Sequence, residues 1–326
     1  MQIEVYEMVK KIGVLTSGGD APGMNAAVRS VVRTAIARGL EVYGIHGGYL
    51  GMYEGRIERL YRKSVSGKMG HGGTFLGTAR LKEFSDEKIR EKAIENLKIY
   101  GIDAVVAIGG DGTYRGALAL SKMGIKTIAI PGTIDNDIAG TDFTIGFDTC
   151  LNTIIEAVDK LRDTSGSHRR CSIVEVMGRN CGDLAVWAAI ASGAECVICK
   201  ETGFNLEEII ESVTKAAKSK NHAIIIVAEH TVDINELAKE VTARTPFEAR
   251  TTILGYVQRG GCPTARDRVL ASEMGVAAVS ALMEDGSGLC VCKKNNKVCT
   301  MPIEEALNGD DKQAVLEKYE VFKTLW

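Results

Sequence analysis

Two aspartates stand two positions apart in a short polar segment near the middle of the chain. The segment runs from Pro131 to Asp137 and reads PGTIDND, which places the carboxylates at Asp135 and Asp137. One carboxylate in such a loop can accept the proton of an attacking hydroxyl while the other supports a metal or orients the first. A turn rich in Asp and Asn also occurs without any catalytic role. Its position after an apolar strand, in step with the motifs below, favours the catalytic interpretation.

Two glycine-rich segments also follow apolar strands, at Thr16–Asn25 and at Gly109–Thr113. Glycines allow a backbone to approach a phosphate, and a helix N-terminus supplies N–H groups and a positive dipole. Asp111 carries the hard oxygen ligands that Mg²⁺ prefers. Neither segment is a P-loop or a G-x-G-x-x-G motif. The alternative for the first segment is an ordinary tight turn capped by Asp20 or Asn25, and for the second it is that Asp111 is only a helix N-cap.

Several arginines could contact phosphate groups, because the guanidinium is planar, always charged and able to bind in a bidentate manner. Most arginines only solvate a protein surface. Arg179 follows Met177 and Gly178 at the end of a predicted strand, and Arg259 lies in a Gln-Arg-Gly-Gly run, so these two are the strongest candidates. The complete set is Arg80, Arg162, Arg170, Arg179, Arg250 and Arg259.

Apolar runs alternate with helical patterns along almost the whole chain, which predicts parallel sheets covered by helices on both faces. Ligands bind such sheets at the carboxyl ends of the strands, where the motifs above stand. The segment 47–77 has no clear period. Strands are predicted at 12–15, 41–45, 104–108, 127–130, 172–176, 196–199, 223–227 and 252–257, and amphipathic helices lie between them, the first from Met24 to Ala37.

Length and composition limit the possible classes of protein. A chain of 326 residues exceeds what one core usually supports, so two domains are expected. The net charge of −2 offers no basic face for nucleic acid. No apolar run approaches the ~18 residues of a membrane span, and residues 1–7 carry acids in place of an apolar signal core. A cytoplasmic protein is expected.

The chain has nine cysteines, an odd number that fits free thiols in a reducing compartment. Cys196 and Cys199 have a C-x-x-C spacing, but no second pair or histidine stands at a ligand distance along the chain. The favoured interpretation is that both act as small apolar residues flanking a buried strand.

In their order and spacing, these segments closely resemble those of the bacterial-type ATP-dependent 6-phosphofructokinases, from about residue 10 to about residue 289. The resemblance implies two Rossmann-like three-layer α/β domains with mostly parallel sheets and an active site in the cleft between them. It implies phosphoryl transfer from Mg-ATP to the 1-hydroxyl of fructose 6-phosphate, a glycolytic reaction, in a homotetramer. The implied domains are 8–145 plus 257–307, which bind ATP, and 146–256 plus 308–326, which bind the sugar phosphate.

The resemblance also implies roles for individual residues. Asp135 would be the general base, Thr133 and Asp137 would position the sugar or the metal, and Arg179 would stabilise the transferring phosphoryl group. ATP would contact Gly19, Arg80, Gly110, Asp111, Gly112 and Thr113, with Asp111 on Mg²⁺. Fructose 6-phosphate would contact Thr133, Asp135, Met177, Gly178, Arg179, Glu229, Tyr256 and Arg259, with Arg170 and Arg250 from a neighbouring subunit.

An allosteric site between subunits, for ADP or phosphoenolpyruvate, is implied as well. Gly67 stands where some relatives have an Asp, so the resemblance does not fix the identity of the regulatory ligand. Tyr256 stands where the phosphate pocket often has a His, so the affinity for the sugar phosphate is not fixed either. Lys218 and Lys220 also suit a solvated helix C-terminus. The matching residues are Arg29, Arg33, Arg62, Arg162, Glu195, Lys218, Lys220 and His222.

Four alternative functions are weighed against this one. Pyrophosphate-dependent members usually carry Asp and Lys where this chain has Gly112 and Gly132, which favours ATP as the donor. Lipid and NAD kinases share GGDGT but lack the 133–137 and 258–261 segments. A non-catalytic nucleotide sensor would have lost Asp111 or Asp135, and an NAD(P)-linked oxidoreductase would carry G-x-G-x-x-G after its first strand.

Overall fold

The computed structural model describes residues 9–309 and 312–326, and the chain divides into two units. The first unit contains the described residues up to Thr133, together with Ile138–Asp148 and Arg259–Gly309. The second contains Ile134–Asp137, Thr149–Gln258 and the described residues after Gly309. Residues 1–7, from which the absence of a signal segment is inferred, lie outside the described residues. Within the described ranges, no helix combines the length and apolar character that a membrane span requires.

Twelve β-strands occur in the described residues, most of them short and apolar. In chain order they are β1 (Lys11–Thr16), β2 (Glu41–Ile45), β3 (Ile57–Leu60), β4 (Ala104–Gly109), β5 (Lys126–Thr133), β6 (Ile145–Gly146), β7 (Arg170–Val176), β8 (Cys196–Ile198), β9 (Ala223–Ala228), β10 (Glu248–Ile253), β11 (Leu289–Lys294) and β12 (Lys297–Pro302).

Eleven α-helices are found in the same residues. They are α1 (Met24–Ala37), α2 (Gly48–Glu54), α3 (Glu87–Tyr100), α4 (Asp111–Lys122), α5 (Phe147–His168), α6 (Asp183–Ser192), α7 (Leu206–Ala216), α8 (Ile234–Arg244), α9 (Ala265–Met283), α10 (Ile303–Asn308) and α11 (Lys312–Leu325).

The sheet of the first unit has the strand order β12-β11-β5-β4-β1-β2-β3, with β6 paired to β5. Its central strands are parallel, whereas β3 and β12 pair antiparallel with their neighbours β2 and β11. All six residues of β4 are buried, as expected of a strand covered on both faces. Helices α1 and α9 pack closely because Gly275 meets Ser30, where an added Cβ would lie 2.5 Å from the Ser30 Cβ.

The sheet of the second unit has four parallel strands in the order β10-β7-β9-β8. Its core is made of aliphatic residues of β7 and β9 together with the apolar faces of α7 and α8. Cys196 and Cys199 are both buried at the ends of β8, as the sequence predicts. The prediction of mostly parallel sheets is therefore confirmed.

The strand predicted at 252–257 is displaced along the chain. The structure places this strand at Glu248–Ile253, and a 3-10 turn that begins at Gly255 follows it. Gly255 has φ 55°, a left-handed conformation that ends the extended backbone. Tyr256 and Val257 are consequently exposed on the turn.

Two further features escape the apolar pattern. The segment 47–77 contains the glycine-rich helix α2 and the short strand β3, which are too short to show a period. Strands β11 and β12 form a hairpin closed by Asn295 and Asn296, whose φ values are 51° and 61°. Asparagine tolerates this conformation, which a two-residue hairpin turn with positive φ at both positions requires.

Candidate active site

The first two glycine-rich segments lie side by side at the carboxyl edge of the first sheet. Strands β1 and β4 are parallel neighbours with Thr16 opposite Ile108, so the loops that follow them emerge at the same edge. The Ser17 N–H donates to the Ile108 carbonyl at 3.0 Å, and the Thr113 hydroxyl donates to the Ser17 carbonyl at 3.0 Å. These bonds hold the two candidate phosphate-binding loops together.

Glycine is required where β4 meets α4. A Cβ at Gly109 would lie 2.4 Å from the Ser17 carbonyl oxygen, so a larger residue would separate the two loops. Gly110 is the N-cap of α4, and Asp111 is its first residue. The interpretation of Asp111 as the N-cap is therefore wrong. Its carboxylate is partly exposed and lies 3.7 Å from the Arg115 guanidinium one turn along the helix.

Helix α1 also begins without a side-chain cap. Its N-cap is Gly23, at φ 106°. The buried Asn25 side chain instead accepts from the Phe75 N–H at 2.9 Å and donates to the carbonyls of His71 and Gly72 at 3.0 and 3.2 Å. Asn25 thereby fastens the glycine-rich 71–75 loop to the start of α1, so the proposed capping roles of Asp20 and Asn25 are wrong.

Two arginines reach the same edge of the first unit. The Thr78 hydroxyl donates to the Gly18 carbonyl at 2.7 Å, which ties the segment before the exposed Arg80 to the first glycine-rich loop. A Cβ at Gly19 would lie 3.4 Å from the Arg259 Cζ atom, so the Arg259 guanidinium lies directly against this glycine. The first glycine-rich loop and Arg259 are therefore neighbours at this edge.

Thr133, at the end of β5, is close to the start of α4. Strand β5 is the parallel neighbour of β4, and a Cβ at Gly110 would lie 3.8 Å from the Thr133 Cβ. The Thr133 carbonyl accepts from the Thr144 hydroxyl at 2.7 Å, which fixes the end of the strand. Thr133 therefore joins the residues gathered at this edge.

Gly112 and Gly132, which the resemblance associates with ATP as the donor, differ in their surroundings. A Cβ at Gly112 would meet nothing within 4 Å, whereas a Cβ at Gly132 would lie 3.1 Å from both Ile108 and Met24. The space beside Gly112 is therefore open, and the space beside Gly132 is already filled by core side chains.

In the second unit, the loop that carries Asp135 and Asp137 is fixed by the residue that stands between these two aspartates, Asn136. Asn136 is buried, has φ 52°, and donates from Nδ2 to the Asp183 carboxylate at 2.7 Å. Asp183 is the first residue of α6, and burial raises the pKa of its carboxyl while the bond from Asn136 opposes that shift. Sequence reasoning missed Asp183, although it stands four residues after Arg179 in the motif that follows β7.

Asp137, Arg179 and Glu229 come together in the second unit. The Asp137 carboxylate lies 3.8 Å from the Arg179 guanidinium, and the Arg179 N–H donates to the Glu229 carboxylate at 2.8 Å. The backbone here is unusual, with φ 141° at Gly178 and φ 56° at Arg179. A Cβ at Gly178 would lie 2.5 Å from the Cys181 carbonyl oxygen, so this turn needs glycine.

Gln258 also supports the site, although sequence reasoning assigned it no role beyond its place in the Gln-Arg-Gly-Gly run. Its side chain is fully buried, accepts from the Met177 N–H at 3.1 Å and donates to the Gly255 carbonyl at 2.9 Å. Gln258 thereby fixes the end of β7, from which Gly178 and Arg179 project.

Arg170 and Arg250 lie at the opposite end of β7 from Arg179. Both form ion pairs with Glu248, Arg170 at 3.0 Å. Strand β7 begins at Arg170 and ends at Val176, a rise of about 20 Å. Within one chain, the structure does not bring these two arginines to Arg179.

The residues of the first unit that the resemblance assigns to an effector site include two arginines one turn apart on α1. Burial, and then the charge of Arg33, lower the pKa of Arg29 below its ordinary value. Like charges at this spacing repel each other, and an anion would relieve the repulsion. Arg62 in this unit and Lys218 in the second unit are exposed.

Three of the candidate effector residues of the second unit lie around a fourth, the buried Glu195. Its carboxylate accepts from the Lys220 ammonium at 2.7 Å and from the Ile224 N–H at 2.6 Å. Burial lowers the pKa of His222, and Arg162 and Lys220 act in the same direction, whereas Glu195 opposes the shift. The structure therefore collects Arg162, Glu195, Lys220 and His222 in one cluster.

Comparisons with known proteins agree with this geometry. A family model described as Phosphofructokinase matches residues 11–282. An ATP-dependent 6-phosphofructokinase of Aliivibrio fischeri (strain MJ11) is 57% identical over 320 residues, which are 98% of this chain and 100% of that protein. One of Vibrio vulnificus (strain YJ016) is 62% identical over 285 residues, 87% of this chain and 89% of that protein.

Solved structures resemble the chain as well. A phosphofructokinase structure from Saccharomyces cerevisiae has a TM-score of 0.88 at 36% identity and covers 97% of this chain. This chain covers 48% of the yeast chain, and so spans about half its length. A pyrophosphate-dependent phosphofructokinase from Marinobacter aquaeolei has a TM-score of 0.85 at 20% identity, covering 96% of this chain and 91% of that one, a likeness of fold alone.

Proposed function

The chain belongs to the phosphofructokinase family, and on that premise we propose that it transfers the γ-phosphoryl group of ATP to the 1-hydroxyl of fructose 6-phosphate. The products are fructose 1,6-bisphosphate and ADP. The observation that carries this proposal is the 57% identity, over 98% of the chain, to an ATP-dependent 6-phosphofructokinase. The strand-end loops of the first unit and the Asp137–Arg179–Glu229 set of the second support it.

The nucleotide would be held by residues at the carboxyl edge of the first sheet. The start of α4 suits a phosphate chain, because the N-terminus of a helix carries the positive end of the helix dipole. Asp111 offers the carboxylate oxygens that Mg²⁺ takes alongside water and substrate phosphates, so the donor set fits this cation. Mg²⁺ supplies charge neutralisation on the phosphates when it is bound. The ATP-binding residues are Gly19, Arg80, Gly110, Asp111, Gly112 and Thr113.

The chemistry assigned to the chain is proton acceptance and charge stabilisation. Asp135 accepts the proton of the 1-hydroxyl, which becomes acidic only as its bond to phosphorus forms, so the carboxylate needs no raised pKa. Arg179 stabilises the charge that spreads over the transferring group, and Asp137 lies against that guanidinium. Thr133 positions the reacting groups.

The sugar phosphate would bind through residues of β7, β9 and the turn after β10. Arg170 and Arg250 are proposed to act on it from a neighbouring subunit of a homotetramer. Their position supports this division, because Arg170 begins β7, about 20 Å before that strand ends at Val176, and Arg250 lies on β10 opposite Ser172, away from the strand end that Arg179 follows. The remaining contacts are Met177, Gly178, Glu229, Tyr256 and Arg259.

The preference for ATP is supported by Gly112. An anionic side chain there would crowd the α-phosphate of ATP, and in this chain the space is open. Pyrophosphate as the donor is the second candidate, favoured by the shared fold of pyrophosphate-dependent structures.

Allosteric control by an anion such as ADP or phosphoenolpyruvate is part of the proposal. Support comes from the paired charges of Arg29 and Arg33, and from the cluster of Arg162, Lys220 and His222 around Glu195. Arg62 and Lys218 complete the proposed effector site.

The variant Asp135→Asn tests the assignment of the base. We expect kcat to fall by ~10²–10⁴, because the amide cannot accept the proton, while KM for both substrates stays close to that of the wild type. Asp163→Asn is the matched control, since Asp163 is exposed on α5 and has no assigned role. Steady-state kinetics measures the change, and thermal unfolding verifies the fold of each variant. An Asp135→Asn variant with unchanged turnover would refute the role of Asp135 as the base.

A further inference from the structure

The β11–β12 hairpin of the first unit brings two thiols together. Cys292 on β11 lies directly opposite Cys299 on β12 in the strand register. Their Sγ atoms are 3.2 Å apart. Residues opposed in an antiparallel pair have Cα atoms about 4.5–5.5 Å apart, which lies within the roughly 4.4–6.8 Å that a disulfide spans. A bond between them needs the sulfur atoms to approach to about 2.05 Å, with no change of register.

The two cysteines differ in exposure. All nine cysteines lie in the described part of the chain, and of these only Cys262 and Cys299 are exposed. Cys292, on the inner strand β11, is buried, and burial raises the pKa of its thiol to about 12. An accessible thiol therefore stands against a protected one, which is the arrangement of an attacking and a resolving cysteine.

We propose that Cys292 and Cys299 are a redox-active pair, which a low-molecular-weight disulfide such as oxidised glutathione converts reversibly into an intrachain disulfide. This inference rests on the hairpin alone and does not depend on the proposed phosphoryl transfer.

The reaction balances as two thiol–disulfide exchanges. The Cys299 thiolate attacks one sulfur of oxidised glutathione, forms a mixed disulfide and expels one glutathione thiolate. The Cys292 sulfur then attacks the Cys299 Sγ and expels the second glutathione, while the proton of the Cys292 thiol passes to the leaving thiolate. The two protein thiols are oxidised, one glutathione disulfide is reduced to two thiols, and excess reduced glutathione reverses both steps.

Packing as small apolar residues explains Cys292 but not its partner. A buried thiol gains from leaving water, as Cys171 and Cys290 do in the two cores. Cys299 lies opposite it on the edge strand β12, where it is exposed and gains little from burial, yet its sulfur is directed at the Cys292 sulfur. The geometry therefore points to chemistry between the two sulfurs.

The test treats the native full-length protein with defined ratios of oxidised to reduced glutathione. Free thiols are then blocked, and the protein is digested and analysed by mass spectrometry. Trypsin cleaves after Lys293, Lys294 and Lys297, so Cys292 and Cys299 fall on separate peptides and a disulfide appears as a cross-linked pair. We expect that pair, located by fragmentation at Cys292 and not at Cys290, with two hydrogens lost and no retained glutathione.

Variants make the result specific. Cys292→Ser should accumulate glutathione on Cys299, because no resolving thiol remains, and Cys299→Ser should form neither product. Cys262→Ser is the matched control for an exposed thiol and should still form the cross-link. The proposal is overturned if the wild-type protein keeps a glutathione adduct on Cys299, or if both cysteines stay reduced at every ratio of oxidised to reduced glutathione. It is also overturned if Cys292→Ser gives the same cross-linked peptides. Thermal unfolding of each variant shows that the comparison is made on folded protein.

Discussion

The buried hydrogen bond between Asn136 and Asp183 fixes the loop that carries the candidate catalytic aspartates, Asp135 and Asp137. Because Asn136 stands between Asp135 and Asp137 and has a left-handed backbone, both its amide and its φ value restrict where the carboxylates lie. Loss of the amide would leave a buried carboxylate short of a partner, a cost of ~1–3 kcal/mol for such a group.

The variants Asn136→Gly and Asn136→Ala separate these two contributions. Glycine keeps the backbone conformation and removes the amide, so we expect kcat to fall by about 10–100-fold through misplacement of the loop. Alanine adds roughly 1–2 kcal/mol of backbone strain and should lower both kcat and the unfolding temperature further. Kinetics and thermal unfolding of both variants measure this, and a glycine variant with wild-type kcat would show that the amide does not position the loop.

His222 should make the stability of the protein depend on pH. Burial lowers the pKa of His222 below its ordinary 6.5, so below pH 6.5 the unfolded chain takes up a proton that the folded chain does not. We expect the free energy of unfolding to fall as the pH drops from above 6.5 through the folded pKa, and to fall less steeply in His222→Gln. Denaturant titrations across this range measure the slope, with the exposed His71→Gln as control. A His222 resonance that titrates at or above 6.5 would contradict the expectation.

Helix α4 shows how close packing can outweigh intrinsic helix propensity. Gly116 lies inside α4, where alanine would normally stabilise by about 1 kcal/mol. A Cβ there would lie 2.4 Å from the ring of the buried Tyr49, whose hydroxyl donates to the Thr113 carbonyl at 2.6 Å. The glycine thus admits a tyrosine that supports the first turn of the helix.

A matched pair of glycine variants tests this argument. Gly116→Ala should lower the free energy of unfolding, because the ring must move. Gly166→Ala in α5 should raise it by up to about 1 kcal/mol, because the nearest atoms to an added Cβ there are 3.9 Å away. Equilibrium unfolding of both variants decides the matter, and an equal stabilisation by both would contradict the packing argument.

The sequence predicted those elements whose local pattern agrees with their tertiary setting. Helix α1 begins and ends where the apolar stripe predicts, at Met24 and Ala37, and the buried strands β4 and β9 differ from prediction by one residue. The strand at 248–253 was not predicted because it lies at an edge of its sheet and buries only Ala249 among its six residues, so it has no apolar run. The apolar residues 252–257 gave a misleading pattern, since Tyr256 and Val257 are exposed.

For the whole molecule, motifs identified the strand-end loops, but the residues that support them leave little trace in a single sequence. Asp183 and Gln258 act through side-chain bonds to residues 47 and 81 positions away along the chain. Such partners depend on the relative placement of β7, the 134–137 loop and the turn after β10, which local periodicity does not encode. Gly109 likewise needs glycine because of the Ser17 carbonyl, which only the folded chain brings close.

The most direct test of the proposed function is an assay of the purified full-length protein with Mg²⁺ and fructose 6-phosphate, supplied with ATP in one sample and with pyrophosphate in another. Fructose 1,6-bisphosphate is measured in both, and ADP is measured in the first. We predict product with ATP alone, with one ADP formed for each fructose 1,6-bisphosphate, in keeping with the open space beside Gly112. Product formed with pyrophosphate in place of ATP, or no product with ATP, would contradict the account.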